Sequence, residues 1–205
     1  MIFEKEFKDA LLNLPVKEKD KLLLRLLKKD VPLADQLYFE LVSTQTVEGR
    51  RAELEIMVSK RVAAMSKHRF SNHDLLSDMR SLSGEITKQV KITKDKFGEI
   101  SLNLLMLNEI LEANNHTIAN YTRIKGHKFS LYVLARVFKI LILIRAMHED
   151  YLADFRQDLE RLGELIQANR LLNQAAIHYG MDMDWLISGE IPEDIKQRQS
   201  ALKKN

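Results

Sequence analysis

Residues Leu131 to Met147 read LYVLARVFKILILIRAM, and fourteen of these seventeen side chains are apolar. Drawn as a helix, the stretch has no face free of hydrophobic groups, and a helix that is apolar all round belongs inside a bilayer or a large core. Arg136, Lys139 and Arg145 interrupt it, each costly in a membrane, and the run is short for a span. The stretch therefore predicts the central helix of a helical domain. Taken alone, the branched run Ile140–Ile144 also suits a buried strand, so the flanking sequence decides between the two.

The flanks read as helix. From Leu75 to Leu111 apolar residues recur at spacings of 4, 3, 4, 4, 3, 4, 3, 4, 3 and 4, a heptad seam over about five repeats. As one helix this seam spans roughly 55 Å at about 1.5 Å per residue. A break near Lys94–Gly98 into two antiparallel helices is the alternative, and the unbroken period favours one long helix with at most a kink. Ser71 and Asp74 resemble a capping box at its start. Asn114, Asn115, Asn120 and Gly126 predict a polar connection into the central helix. A second run, Leu152, Phe155, Leu159, Leu162 and Ile166 with Asn169 next in the seam, continues to Tyr179, where Gly180 suits the C′ position. Asp182 or Asp184 suits the cap of a short turn holding Trp185, Leu186 and Ile187, and Pro192 opens a polar last helix.

The N-terminal third is built of shorter pieces. Phe3, Phe7, Ala10, Leu11 and Leu14 predict a helix ending before Pro15, a second helix runs to Asp30, and a third follows Pro32. Thr46 is the predicted N-cap of a fourth helix carrying Leu54, Met57, Val58 and Val62. The expected architecture is all-α: an antiparallel bundle of long helices around a central apolar helix, with short N-terminal helical hairpins packed on its side. Residues 1–70 form the hairpins, 71–189 the bundle and 190–205 a polar tail helix.

Composition narrows the chemistry. Seven glycines and three prolines in 205 residues favour long helices over a many-stranded sheet, and the absence of cysteine removes disulfides, thiolate catalysis and iron–sulfur clusters. MIFEKEFKDALLNL carries acids and no uninterrupted apolar core, so no secretory signal is read and a cytoplasmic location is expected. The net charge of +3 permits nucleic-acid binding without demanding it.

Three sets of residues present chemistry. At 100° per residue Tyr132, Arg136 and Lys139 fall within about 60° of the central helix, with no acid on that helix in reach; they are candidates for binding an anion or acidic partner, or for pairing with acids of a neighbouring helix. Arg145 points away and has Glu149 four residues on. Lys60, Arg61, Lys67 and Arg69, with His68 beside them and Phe70 to stack on a base, form the densest basic cluster and the nucleic-acid candidate. Glu109, Glu112 and His116 share a helix face and are the metal candidates, although the Glu-x-x-His of di-iron bundles and the second Glu-x-x-Asp of all-α nucleotide pyrophosphatases are absent. A solvated face is the better account of them.

AAIHYGMDMDWLISGE, through Gly180, Asp184, Trp185, Leu186 and Gly189, resembles the closing segment of lambda-repressor-like helix-turn-helix domains. The resemblance covers about sixteen residues, and the preceding RLGELIQANRLLNQ lacks the turn and recognition helix. The segment is therefore read as capping chemistry with Trp185 as a hydrophobic lid. The sequence as a whole implies a non-enzymatic interaction or scaffold protein with a protein partner or a second copy of itself, no cofactor and no membrane. A nucleic-acid-associated protein and a metal-dependent bundle hydrolase are the alternatives.

Overall fold

The structure is a computed structural model that describes residues 3–67 and 75–202, the Glu149 side chain excepted. It is 82% helical, and no strand occurs among the described residues. The chain divides into two compact units, Met1–Gln45 with Lys91–Lys94, and Thr46–Val90 with Asp95–Asn205.

The N-terminal unit holds α1 (Lys5–Leu12), α2 (Val16–Leu27) and α3 (Val31–Leu41). Proline and aspartate set its boundaries. Pro15 is the N-cap of α2, while Asp30 caps α3 by accepting from the Leu33 N–H at 3.1 Å, with Pro32 in the first turn. Phe3 and Phe7 meet with ring centroids 5.5 Å apart, and α2 touches α3. None of the three helices buries a residue.

The second unit is an up-and-down bundle. Its principal helices are α4 (Val47–Lys67), α5 (Leu75–Thr93, the last three residues of which belong to the other unit), α6 (Lys96–Ala119), α7 (Arg123–Arg145) and α8 (Leu152–Ala168). Thr46 caps α4 as the sequence predicts, its Oγ1 accepting from the Gly49 N–H at 3.0 Å. Directions follow from the side chains that bridge the helices. Arg51–Asp95, Ser59–Glu109 and Ser66–Asn114 rise together along α4 and α6, and Phe97–Phe155, Glu112–Arg161 and Asn115–Asn169 rise together along α6 and α8. Lys139 meets Glu99 across α6 and α7 in the opposite sense. So α4, α6 and α8 run one way, and the intervening α5 and α7 return.

The apolar stretch that decides the fold lies in α7, where Val133, Leu134, Val137, Phe138 and Leu141 are wholly buried. It shares the interior with α6, which packs on α4, α7, α8 and α9 (Arg170–His178). The seam positions Leu75, Met79, Leu82, Ile86, Ile100, Leu104, Leu107 and Leu111 are all buried. The unit's own helices cover them.

Three boundaries differ from expectation. The seam is not one helix: Lys94 takes a left-handed φ of 57° and Asp95 begins α6 by accepting from the Gly98 N–H at 2.8 Å. The heptad spacing continues across the break, so periodicity alone does not register it. The Asn-rich segment is not a connection either. Asn114 is buried inside α6, and only Asn120–Thr122 link α6 to α7, which starts eight residues before Leu131. Finally, the second heptad run stops at Ala168. Asn169, buried, accepts from the N–H groups of Leu171 and Leu172 and starts α9. Gly180 closes α9 at φ 65° as predicted, and Asp182 accepts from the Asp184 N–H ahead of α10 (Asp184–Ile187). The last helix, α11 (Ile195–Leu202), packs on α7 and buries Ile195 and Leu202.

Gly98 gives a sharp test of the α6 start. A Cβ there would overlap the Asp95 carboxylate, which also holds the Arg51 guanidinium at 2.7 and 2.9 Å. Helix propensity alone favours alanine over glycine by about 1 kcal/mol. We expect Gly98→Ala instead to destabilise the protein by about 1–3 kcal/mol, the range for a lost cap and a disturbed charge pair, as measured by urea unfolding. A stabilised variant refutes this account of the cap.

Candidate functional site

Tyr132, Arg136 and Lys139 stand on one face of α7, all half-buried. The structure separates their roles. Tyr132 donates its hydroxyl to the Met79 carbonyl of α5 at 3.3 Å. Lys139 pairs with Glu99 of α6 at 2.5 Å, and the Glu99 side chain is only 16% exposed. This cation therefore has the structural partner from a neighbouring helix that the sequence left open. Arg136 meets no carboxylate among the described residues. Its guanidinium lies 5.0 Å from the Tyr132 ring centroid, and Arg80 of α5 lies 5.7 Å from the same ring. Each such contact stabilises by about 0.5–1 kcal/mol at an accessible site. Arg80 was invisible as a partner of this stripe, because nothing in the local pattern of α5 brings it to Tyr132. Arg145 donates to the Pro192 carbonyl at 2.5 Å and lies 3.9 Å from Glu193; its expected partner Glu149 has a side chain outside those described.

The basic cluster is only partly described. Lys60, Arg61 and Lys67 are exposed on α4, whereas His68, Arg69, Phe70 and the Ser71–Asp74 capping box lie outside the described residues. Arg61 pairs with Glu85 of α5 at 3.2 Å, which removes its charge from the patch. The face carrying Glu109, Glu112 and His116 is engaged piecemeal. Ser59 of α4 donates to Glu109 at 2.6 Å, Arg161 of α8 pairs with Glu112, and His116 is exposed. Among the described residues no three His, Asp or Glu side chains gather as a metal set.

The C-terminal segment forms an open cleft of about 650 Å³ lined by Met181, Met183, Trp185 and Arg198 among others. Arg198 lies over the Trp185 ring at 5.1 Å and holds Asp194 at 2.9 Å, which keeps that carboxyl below its ordinary range. Trp185 is half-buried and not a complete lid. Arg198 is thus matched by Asp194, and Asp182 and Asp184 are the other charged residues lining the cleft.

Most of the exposed large hydrophobic side chains among the described residues lie in the N-terminal unit. Seventeen large hydrophobic side chains are exposed among the described residues, and twelve of them fall between Phe3 and Val42. Leu12 at 71%, Leu24 at 60% and Leu41 at 78% are typical. Helical spacing places Phe3, Phe7, Ala10, Leu11 and Leu14 on one predicted helix. Spacing identifies an apolar face and does not say what covers it.

No helix among the described residues is long and apolar enough to cross a membrane. Comparison with family models, with characterised proteins and with solved structures finds no match to this chain, so its function is argued from its surfaces alone.

The two cations of α7 should respond differently to neutral replacement. Lys139→Met strands a largely buried Glu99 carboxylate, and we expect a loss of about 1–3 kcal/mol, the desolvation cost of an unmatched polar group. Restoring neutrality with Glu99→Gln should recover part of it. Arg136→Met breaks no ion pair and loses only its contact with the Tyr132 ring, so it should cost no more than about 1 kcal/mol. Thermal melts of the three variants decide the matter, and equal losses at both positions contradict the assignment.

Proposed function

We propose that this chain is a non-enzymatic, cytoplasmic protein-interaction module that associates through its N-terminal unit. One observation carries the reading: residues 3–42 expose twelve large apolar side chains, ten of them on α1, α2 and α3, and these three helices bury no residue. Helices of 8, 12 and 11 residues are marginal in water by themselves. Without a core they gain too little to offset the conformational entropy of ordering them. A contiguous exposed apolar surface on a folded chain marks an interaction site. Association would supply the burial that the unit lacks.

The second unit supports this reading by contrast. Its seam is closed, and Glu109, Glu112, Lys139 and Arg61 are engaged by neighbouring side chains. That arrangement suits a rigid support for an adhesive segment. Of the nucleic-acid candidates, Lys60 and Lys67 stand exposed without an ion pair among the described residues, while Arg69 and Phe70 lie outside them; we prefer the apolar surface.

The test is the size of the native assembly. In an extract of cells that naturally make the protein, the full chain should elute well above its 23.8 kDa mass. A Leu24→Glu/Leu41→Glu variant, altered at two exposed positions, should elute as a free chain. Wild type eluting at the mass of the chain alone would end the proposal.

A further inference from the structure

Resting on the reading of the N-terminal unit as an association surface, we infer that its occupant is a second copy of this chain, docked two-fold through α2 and α3. Three features of the unit point to itself. Five leucines occupy six positions of α2, Leu22 to Leu27, and at 100° per residue they cover an arc of about 200°. A single neighbouring helix does not cover so wide an arc. With α3 alongside, Leu22 and Leu27 are half-buried while Leu23, Leu24 and Leu26 stay exposed. A further apolar surface is needed on the open side of α2. The exposed Leu33, Tyr38, Leu41 and Val42 on and beside α3 are a surface of that kind.

Charge selects the partner. Residues 1–45 carry eight Lys or Arg and eight Asp or Glu, sorted by helix. Residues 16–29, around α2, hold six cations and two acids, whereas residues 30–42, around α3, hold Asp30, Asp35 and Glu40 and no cation. None of the α2 cations forms an ion pair among the described residues, and Glu40 is held by Lys94. In an isologous contact, residue i of one copy meets residue j of the other and the reverse. Basic α2 of each copy then lies on acidic α3 of its mate, so the apolar and electrostatic requirements are met together. Two adjacent helices of opposite net charge make a surface self-complementary in this way. An anionic membrane would attract α2 and repel α3.

Nine of the twelve exposed large apolar side chains lie on or beside α2 and α3, from Val16 to Val42, and are 39–78% exposed; a standard interface buries about 800 Å² per partner. The unpaired bundle seam is not required, because the chain's own helices already cover it.

The experiment is light scattering coupled to size exclusion on the purified full chain at tens of micromolar. The expected mass is twice 23.8 kDa, falling toward one chain on dilution. Leu24→Glu/Leu41→Glu should give a single-chain mass, with far-ultraviolet dichroism falling by no more than the share of α1, α2 and α3 and the melting temperature of the second unit unchanged. Arg25→Glu/Lys28→Glu keeps every leucine and takes residues 16–29 from four excess cations to none, which removes their attraction for the acidic α3 region. It should raise the dissociation constant at least tenfold at low salt, with the effect shrinking at high salt. A purified wild type that stays a single chain overturns the inference. If the assembly in cell extract is nonetheless larger than one chain, the interaction reading stands and only the second copy is refuted. A single-chain wild type whose melting temperature falls in Leu24→Glu/Leu41→Glu shows the face covered within the chain and refutes both. Dimers that persist in both variants, or a chain that associates with anionic vesicles in place of itself, also overturn the two-fold contact.

Discussion

The Asp95 carboxylate organises the second unit. It accepts from the Gly98 N–H to begin α6 and from two nitrogens of Arg51 to hold α4 against that start. The pair is bidentate and poorly exposed, at 18% for Arg51 and 8% for Asp95, the geometry in which a charged hydrogen bond is strongest. Asp95 raises the Arg51 guanidinium above its ordinary value, so the cation is fixed as a cation. The same guanidinium lies 4.6 Å over the Phe97 ring, and Phe97 packs on Phe155 at 4.6 Å. One short chain of contacts thus sets the first turns of α6 and α8 and the N-terminal end of α4. Removing either charge would leave the other buried and unmatched, a large cost in any protein interior.

Farther along α6 the interior is polar at chosen points. Asn103, Asn108 and Asn114 are buried on a helix that is otherwise apolar inside. Asn108 donates to the Asp158 carbonyl of α8 at 3.0 Å, and Asn114 donates to Ser66 of α4 at 3.1 Å. The Oδ1 atoms of Asn103 and Asn108 and the Oγ of Ser83 have no partner among the described residues. Each costs on the order of 1–3 kcal/mol relative to a satisfied group. What such groups do well is to distinguish one register from another, since a one-turn slip of α8 would strand the Asn108 amide as well as its carbonyl. The bundle gives up stability for a single alignment of α4, α6 and α8.

How much of this was legible follows from what periodicity measures. The all-α class, the caps at Thr46 and Gly180 and the apolar seam from Leu75 to Leu111 depend on spacing and local chemistry, and they can be read directly; of Leu131–Met147 only the face of Val133, Leu134, Val137, Phe138, Ile140, Leu141 and Ile144 is buried. The break at Lys94 leaves the spacing intact, and lysine carries no left-handed preference, so the signal lay only in Asp95 standing three residues before Gly98. Asn114 and Asn169 look like loop residues because asparagine competes for backbone groups. Buried, each uses that same capacity across helices or at a cap. Lys139 could not be assigned a partner until α6 was placed beside it, and Arg80 has no local mark at all.

The candidate surface illustrates a deeper limit. Leucines at helical spacing predict an apolar face equally well whether that face ends in a core or at an interface, since burial is a property of the neighbours. In α6 and α7 the faces close on one another because each helix is long enough to present several turns to its neighbours. In α1 to α3 the helices span two or three turns, and the α2 leucines face too many directions for one neighbour to cover. A short helix with a wide apolar arc gains most of its stability from whatever packs on it. A partner packed on that arc would couple ordering to association in one equilibrium.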